Sequence, residues 1–136
     1  MHPAIIAALL LLQTFAPQDY HAVSQHPIQG VYGSVLPGGG WTYCGDKTIY
    51  VNLEYDHDPK RIAGTLAHEA SHLEDYPYGG CGKPREAKAM RATLLVYQKV
   101  GAPSWRITWA QEWYWKFWWR EHPRYAKSLG ILPTVQ

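Results

Sequence analysis

Cysteine is scarce in this chain of 136 residues: Cys44 and Cys81 are the only two. A disulfide-framework miniprotein and a four-cysteine zinc ribbon are therefore both excluded. A single Cys44–Cys81 bridge is the most that pairing could supply, stabilising the fold by roughly 3 to 4 kcal/mol on the chain-entropy account. Basic charge is missing from the first third, where no Lys or Arg precedes Lys47. Over the whole chain 13 Lys plus Arg face 11 Asp plus Glu, a formal net charge of +2, and so small a surplus gives no bulk electrostatic reason to expect nucleic acid as a partner. Membrane-spanning apolar runs are also lacking. The uninterrupted stretch Ala4–Leu12 is too short to cross a bilayer. It has the length of the apolar part of a secretory signal, yet only the α-amino group and His2 precede it, and Pro17 spoils the nearest small-residue cleavage position. Residues 1–17 are thus open to three readings, a degraded signal, an interfacial anchor or a short buried helix, and localisation stays open with them.

What is present argues for folding. The chain is 46% hydrophobic and 14% aromatic, with seven Trp and no polar low-complexity tract, enough for one globular core and too short for two ordinary domains. Residues 18–136 are expected to form that single domain. Gln18–Gln29 is polar and His-rich and reads as a linker, and Gly38, Gly39 and Gly40 after Pro37 read as a hairpin tip. Val31–Leu36 on one side of it, and Trp41–Tyr43 with Thr48–Leu53 on the other, are β-branched and aromatic at strand length. Asp56, Asp58 and Pro59 signal a helix start, and Ile62, Thr65, Leu66, Glu69 and Leu73 carry helical spacing to about Asp75. Pro84 opens a second helix over about Arg85–Val100. A third runs from Ser104 until Pro123 stops it. Strands first and helices second give an α+β fold: a small antiparallel or mixed sheet on one long helix, with two further helices, the last Trp-rich.

Chemistry is concentrated in His68-Glu69-Ala70-Ser71-His72, an HExxH within the first long helix. Residues four apart on a helix share a face, so both imidazoles can grip one zinc ion while Glu69 lies beside them as a general base for water. A hydrolytic zinc keeps an open position and needs a third protein ligand. A His at position 78 would have supplied a metzincin site, but Asp75 and Tyr78 occupy the places where that pattern has Gly and His. Glu74 and Asp75 sit just past His72 and turn away from its face. Glu86 opens the next helix after a loop that reverses the chain, which makes it the expected third ligand, with the Cys81 thiolate as the alternative. A donor opposite the metal would come from Tyr97, Tyr114, His122 or Tyr125, among which the sequence does not choose.

Two stretches resemble known zinc peptidases of the gluzincin type. Glu86–Leu95 (EAKAMRATLL) is similar to the EAxxF(A)xxLL signature carrying the third ligand in ImmA/IrrE-type metallopeptidases, with Met90 in the aromatic place and Arg91 as a departure. Tyr43–Val51 (YCGDKTIYV) resembles the YCxxDxxIY strand that precedes HExxH in a family of neutral zinc metallopeptidases. Together the likenesses cover about residues 41–97. They imply zinc held by His68, His72 and Glu86, Glu69 as the base, a peptide or protein as substrate, and a strand of Thr48, Ile49, Tyr50, Val51 and Asn52 acting as an edge that pairs with extended substrate.

The third helix carries Trp105, Trp109, Trp113, Trp115, Trp118 and Trp119, with Tyr114 and Phe117, more aromatic surface than one core stripe uses. Interleaved Arg106, Lys116, Arg120 and Arg124 suit a membrane interface or a cell-wall polymer. The reading that follows is a zinc metallopeptidase. Its alternative is a noncatalytic, zinc-stabilised domain that binds such a surface through the tryptophans.

Overall fold

One helix organises the molecule. In the computed structural model, which describes residues 1–33, 39–43, 45–54, 56–75 and 85–130, α3 (Pro59–Glu74) is buried on almost every side. Asp58 caps its start by accepting from the Lys60 amide at 3.0 Å, and Pro59, which has no amide hydrogen to leave unpaired, occupies the first turn. Against it pack α1 (Pro3–Phe15), α2 (Pro17–Ser24), the sheet strands β2 (Gly40–Thr42) and β3 (Ile49–Asn52), and α4 (Glu86–Lys99). The remaining elements are β1 (Ile28–Val31), α5 (Ser104–Glu121), which packs on α4, and α6 (Pro123–Ser128). The fold is α+β, with the helices dominant and a small mixed sheet.

The apolar start is helix α1, and Ala4, Ile5, Ala8 and Leu12 on its inner side join the core formed with Val23, Ile62, Leu66 and Leu73. Burying Ile5 and Leu12 stabilises this union by about 1.5–3 kcal/mol each. Ile6, Leu10 and Phe15 remain exposed on the other side. Among the described residues no helix is long and apolar enough to cross a membrane. Most of the segment expected to be a linker is in fact α2, because Pro17 starts a turn that buries Val23 and half-buries Tyr20. A second apolar cluster lies between α4 and α5, where Met90, Tyr97, Ala102 and Ala110 meet Trp113, Tyr114 and Phe117.

The sheet order is β1-β3-β2, with β1 parallel and β2 antiparallel to β3. Residues 34–36 of the expected first hairpin strand, Val31–Leu36, and Pro37 and Gly38 of its tip lie outside the described residues; the described strand before β2 is β1, which ends at Val31 and pairs with β3. The sheet order corrects the expectation that Thr48, Ile49, Tyr50, Val51 and Asn52 form a substrate-binding edge. Ile49 donates to Pro27 O and Leu53 to Val31 O on one side, while Asn52 donates to Gly39 O on the other, so β3 is the central strand and its main-chain groups are committed. The motif-like Asp46 and Tyr50 have structural work: the Asp46 carboxylate accepts from the Thr48 amide and the Tyr50 hydroxyl, shaping the entry to β3. At the far end of β3, Arg61 of α3 donates to Asn52 O at 3.2 Å and to the Asp56 carboxylate at 2.7 Å, tying strand to helix.

Close approach of α4 to α3 depends on Gly64, one turn before His68. A Cβ there would land on the ring of buried Tyr97. Helix propensity alone favours Ala over Gly by about 1 kcal/mol, but forcing apart a packed ring costs about 1–3 kcal/mol. Gly64→Ala is therefore expected to lower the thermal midpoint, and a raised midpoint would show that α4 does not sit this close.

Candidate metal centre

Helical spacing sets the first two donors. His68 and His72 project from neighbouring turns of α3 with ring centroids 4.9 Å apart. Glu86, in the first turn of α4, reaches both: Oε2 lies 3.3 Å from His68 Nε2, and Oε1 lies 3.2 Å from His72 Nε2. The three ligand atoms fall within 4.8 Å of one another. Tetrahedral zinc with bonds of roughly 2.0–2.1 Å to nitrogen and oxygen sets its ligand atoms about 3.3 Å apart; each imidazole stands at about that distance from one Glu86 oxygen, though not the same one, so a small turn of the carboxylate would bring a single oxygen to a shared ion. Two neutral imidazoles and one carboxylate are also a donor set zinc accepts.

Neighbouring residues hold these donors in place. The buried Thr93 of α4 donates from Oγ1 to Gly64 O at 3.1 Å, which leaves its lone pairs facing His68 Nδ1 at 3.3 Å. With the hydroxyl proton given to Gly64 O, Thr93 can accept from His68 Nδ1–H, the tautomer that would leave Nε2 to a bound metal in place of its contact with Glu86. Glu86 is steadied from α5. The α4 N-terminus lacks a capping side chain of its own, and Glu121 Oε2 accepts from the Ala87 amide at 2.9 Å in its place. Lys88 bonds Asp75 at 2.9 Å, with Glu74 3.7 Å away, which closes the end of α3 onto α4.

Electrostatics follow from burial and crowding. Burial pushes the Glu69 carboxyl above its usual range; His68 and His72 pull against this, and Glu86 adds to it. At Glu86 burial acts the same way but is overcome by the hydrogen bonds and charge of His68 and His72, which hold the carboxyl far below its usual value. Burial disfavours the His72 imidazolium, yet Glu86, Glu69 and Asp75 outweigh it and raise the imidazole.

Above the triad opens a cavity of about 510 Å³. Thr65, His68, Glu69 and His72 form its floor, Glu86, Met90, Thr93 and Tyr97 one wall, Trp109 and Phe117 of α5 the far wall, and Gly39–Thr42 its roof. Gly40 lets β2 lie this low: a Cβ there would come within 2.5 Å of Thr65 Cγ2 and 3.2 Å of Glu69 Cγ. The Asn52–Gly39 bond and the register Trp41↔Tyr50 make Trp41 the residue whose main chain bonds β3. In an antiparallel pair hydrogen-bonded and non-bonded positions alternate, so the main-chain groups of Gly40 and Thr42 face away from β3, along the outer edge of β2.

Of the residues expected to act, the structure brings together His68, Glu69, His72 and Glu86. Of the four candidates for a donor opposite the metal, Tyr97 lines the cavity, whereas Tyr114, His122 and Tyr125 do not. His122 instead bonds Trp118 O, and Tyr125 stacks on Trp119. Cys44 and Cys81, and with them the bridge and the alternative thiolate ligand, lie outside the described residues. Sequence reasoning missed Thr93, Glu121 and the β2 edge. A hydroxyl seven residues past Glu86 shares its helix face and was a readable signal, but the reach of Glu121 across 34 positions was not. Comparisons of the chain with protein-family models, curated proteins and solved structures find no match.

Proposed function

We propose that this chain is a zinc-dependent metallopeptidase that hydrolyses peptide bonds with Glu69 as general base. The observation that carries the reading is the convergence of His68, His72 and Glu86, their ligand atoms within 4.8 Å of one another, beside a buried glutamate and a strand edge. Zinc bound there would supply Lewis acidity, polarising the scissile carbonyl and lowering the pKa of water. Glu69 accepts the proton of the attacking water and delivers it to the leaving amine nitrogen. The edge of β2, with Gly40 and Thr42 presenting their main-chain groups, pairs with an extended substrate and lays the scissile bond over α3. The Trp109 and Phe117 wall shields that bond from solvent.

The primary test is metal content of the purified protein by elemental mass spectrometry, beside His68→Ala and Glu86→Ala. Near-stoichiometric zinc in the wild type, lost from both variants, is expected. A folded, zinc-replenished wild type that holds no zinc would overturn the reading. A zinc-bearing protein on which Glu69→Gln has no effect in a peptide-library assay would instead mark a structural site.

Thr93 supplies a finer test. Removing a hydrogen-bond partner of a ligating histidine typically costs 10- to 100-fold in metal affinity. Thr93→Val is expected to weaken zinc binding by that range in a chelator competition, while Thr93→Ser, which keeps the hydroxyl, stays near wild type. Equal affinity in all three proteins would remove Thr93 from the site.

A further inference from the structure

Helix α5 has two populated faces, of which the cavity and the second core use only one. Trp113, Tyr114 and Phe117 pack inward against α4. On the other side Trp115, Trp118 and Trp119 meet Tyr125 of α6 in a continuous aromatic patch. Trp118 and Trp119 are 4.9 Å apart, Trp115 lies 6.0 and 6.5 Å from them, and Tyr125 is 5.6 and 6.0 Å away. Trp115 and Tyr125 are each more than half exposed, as is Leu129 one turn beyond Tyr125. Among the described residues α5 packs on α4 and α6, with the sheet and α1 gathered around α3.

Charge decides what this face fits. From Ser104 to Gly130 there are five basic residues and two acidic ones, whereas the rest of the chain has eight and nine. Within that segment Arg106, Lys116 and Arg120 lie over Tyr97, Trp113 and Phe117 of the inner cluster, so the charge beside the outer aromatic patch is that of Arg124 and Lys127, both exposed. Trp and Tyr prefer the headgroup layer of a bilayer, where an apolar ring and a polar edge are both accommodated, and cations there pair with anionic headgroups. A neutral polysaccharide would stack on the rings but give the cations no counter-charge. A second copy of the chain would bring two positive faces together.

We propose that the α5–α6 face is a docking surface for an anionic lipid bilayer, occupied by Trp115, Trp118, Trp119 and Tyr125 between phosphate-pairing Arg124 and Lys127. Binding is peripheral, through one face of the helix pair. Because Trp109 and Phe117 of the same helix wall the cavity, docking holds the cleft beside the membrane. The surface is independent of the metal and stands whether or not the peptidase reading does.

The test uses the full chain and vesicles of phosphatidylcholine with or without phosphatidylglycerol, read by co-sedimentation and by tryptophan emission. Binding with a blue shift is expected only with the anionic lipid. Each basic residue near such a surface contributes about 1 kcal/mol, so Arg124→Gln with Lys127→Gln is expected to weaken partitioning roughly 25-fold. These exposed substitutions disturb no packing, and Trp115→Ser with Tyr125→Ser, checked for native circular dichroism, is expected to abolish the blue shift. No binding to anionic vesicles would overturn the proposal, as would partitioning unchanged in the charge variant. Retention on an insoluble polysaccharide without vesicle binding, or concentration-dependent dimerisation lost in Trp115→Ser, would overturn it in favour of those occupants.

Discussion

Glu69→Gln is expected to lower kcat for peptide hydrolysis by about 10² to 10⁴, the usual contribution of a positioned general base, while leaving bound zinc unchanged. Glutamine fills nearly the same volume but cannot accept a proton from water. Retention of the metal is expected because Glu69 is not among the three converging ligands. Stability is expected to hold or rise slightly, since Glu69 is only 6% exposed and its carboxyl is pushed up by burial; a neutral amide costs less to bury than a carboxylate. The measurement is turnover on a cleaved library peptide beside zinc content and thermal melting of the same preparation. Loss of zinc together with activity would make Glu69 a ligand, and wild-type turnover would remove it from the mechanism.

Much of this site was legible because its information is local. The four-residue interval between His68 and His72 fixes their shared face on any helix, and Asp58-Pro59 marked where that helix starts. Glu86 was legible by position, first in a helix after a reversing loop. The sheet was harder to read, since pairing order is not written in strand composition: Ile28–Val31 and Ile49–Asn52 pair in parallel across the intervening β2 segment. With β3 flanked on both sides, Gly40–Thr42 is one of the two outer strands among the described residues, a stretch whose glycines suggest a turn. Those glycines serve instead to bring a strand down onto Thr65 and Glu69. The aromatic excess of α5 was visible, but which tryptophans face inward depends on where α4 lies.

Zinc removal is expected to lower the thermal midpoint on the order of 10 °C, and the size of the drop should depend on pH. A ligand bound only by the folded state stabilises it by about 2.7 kcal/mol at a hundredfold excess over Kd and about 4.1 at a thousandfold. For a chain of this size each kcal/mol moves the midpoint by several degrees. The metal-free protein has a partial substitute, the contact of Glu86 with His72 at 3.2 Å. Glu86 is depressed below its ordinary 4.5, so its contribution is present above that value and lost as pH falls through the lower folded one. His72 is raised above 6.5, so its contribution is present below that value and lost as pH rises through the higher folded one. Both act together between about pH 4.5 and 6.5, where His72 also holds a proton that zinc must displace. The zinc-dependent shift is therefore expected to be larger at pH 8 than at pH 5.5. Glu86→Gln, which removes both a ligand and the partner of His72, should erase the shift at both values. Equal shifts at the two pH values would mean that zinc does not compete with the His72 proton, and a shift surviving in Glu86→Gln would place the third ligand elsewhere.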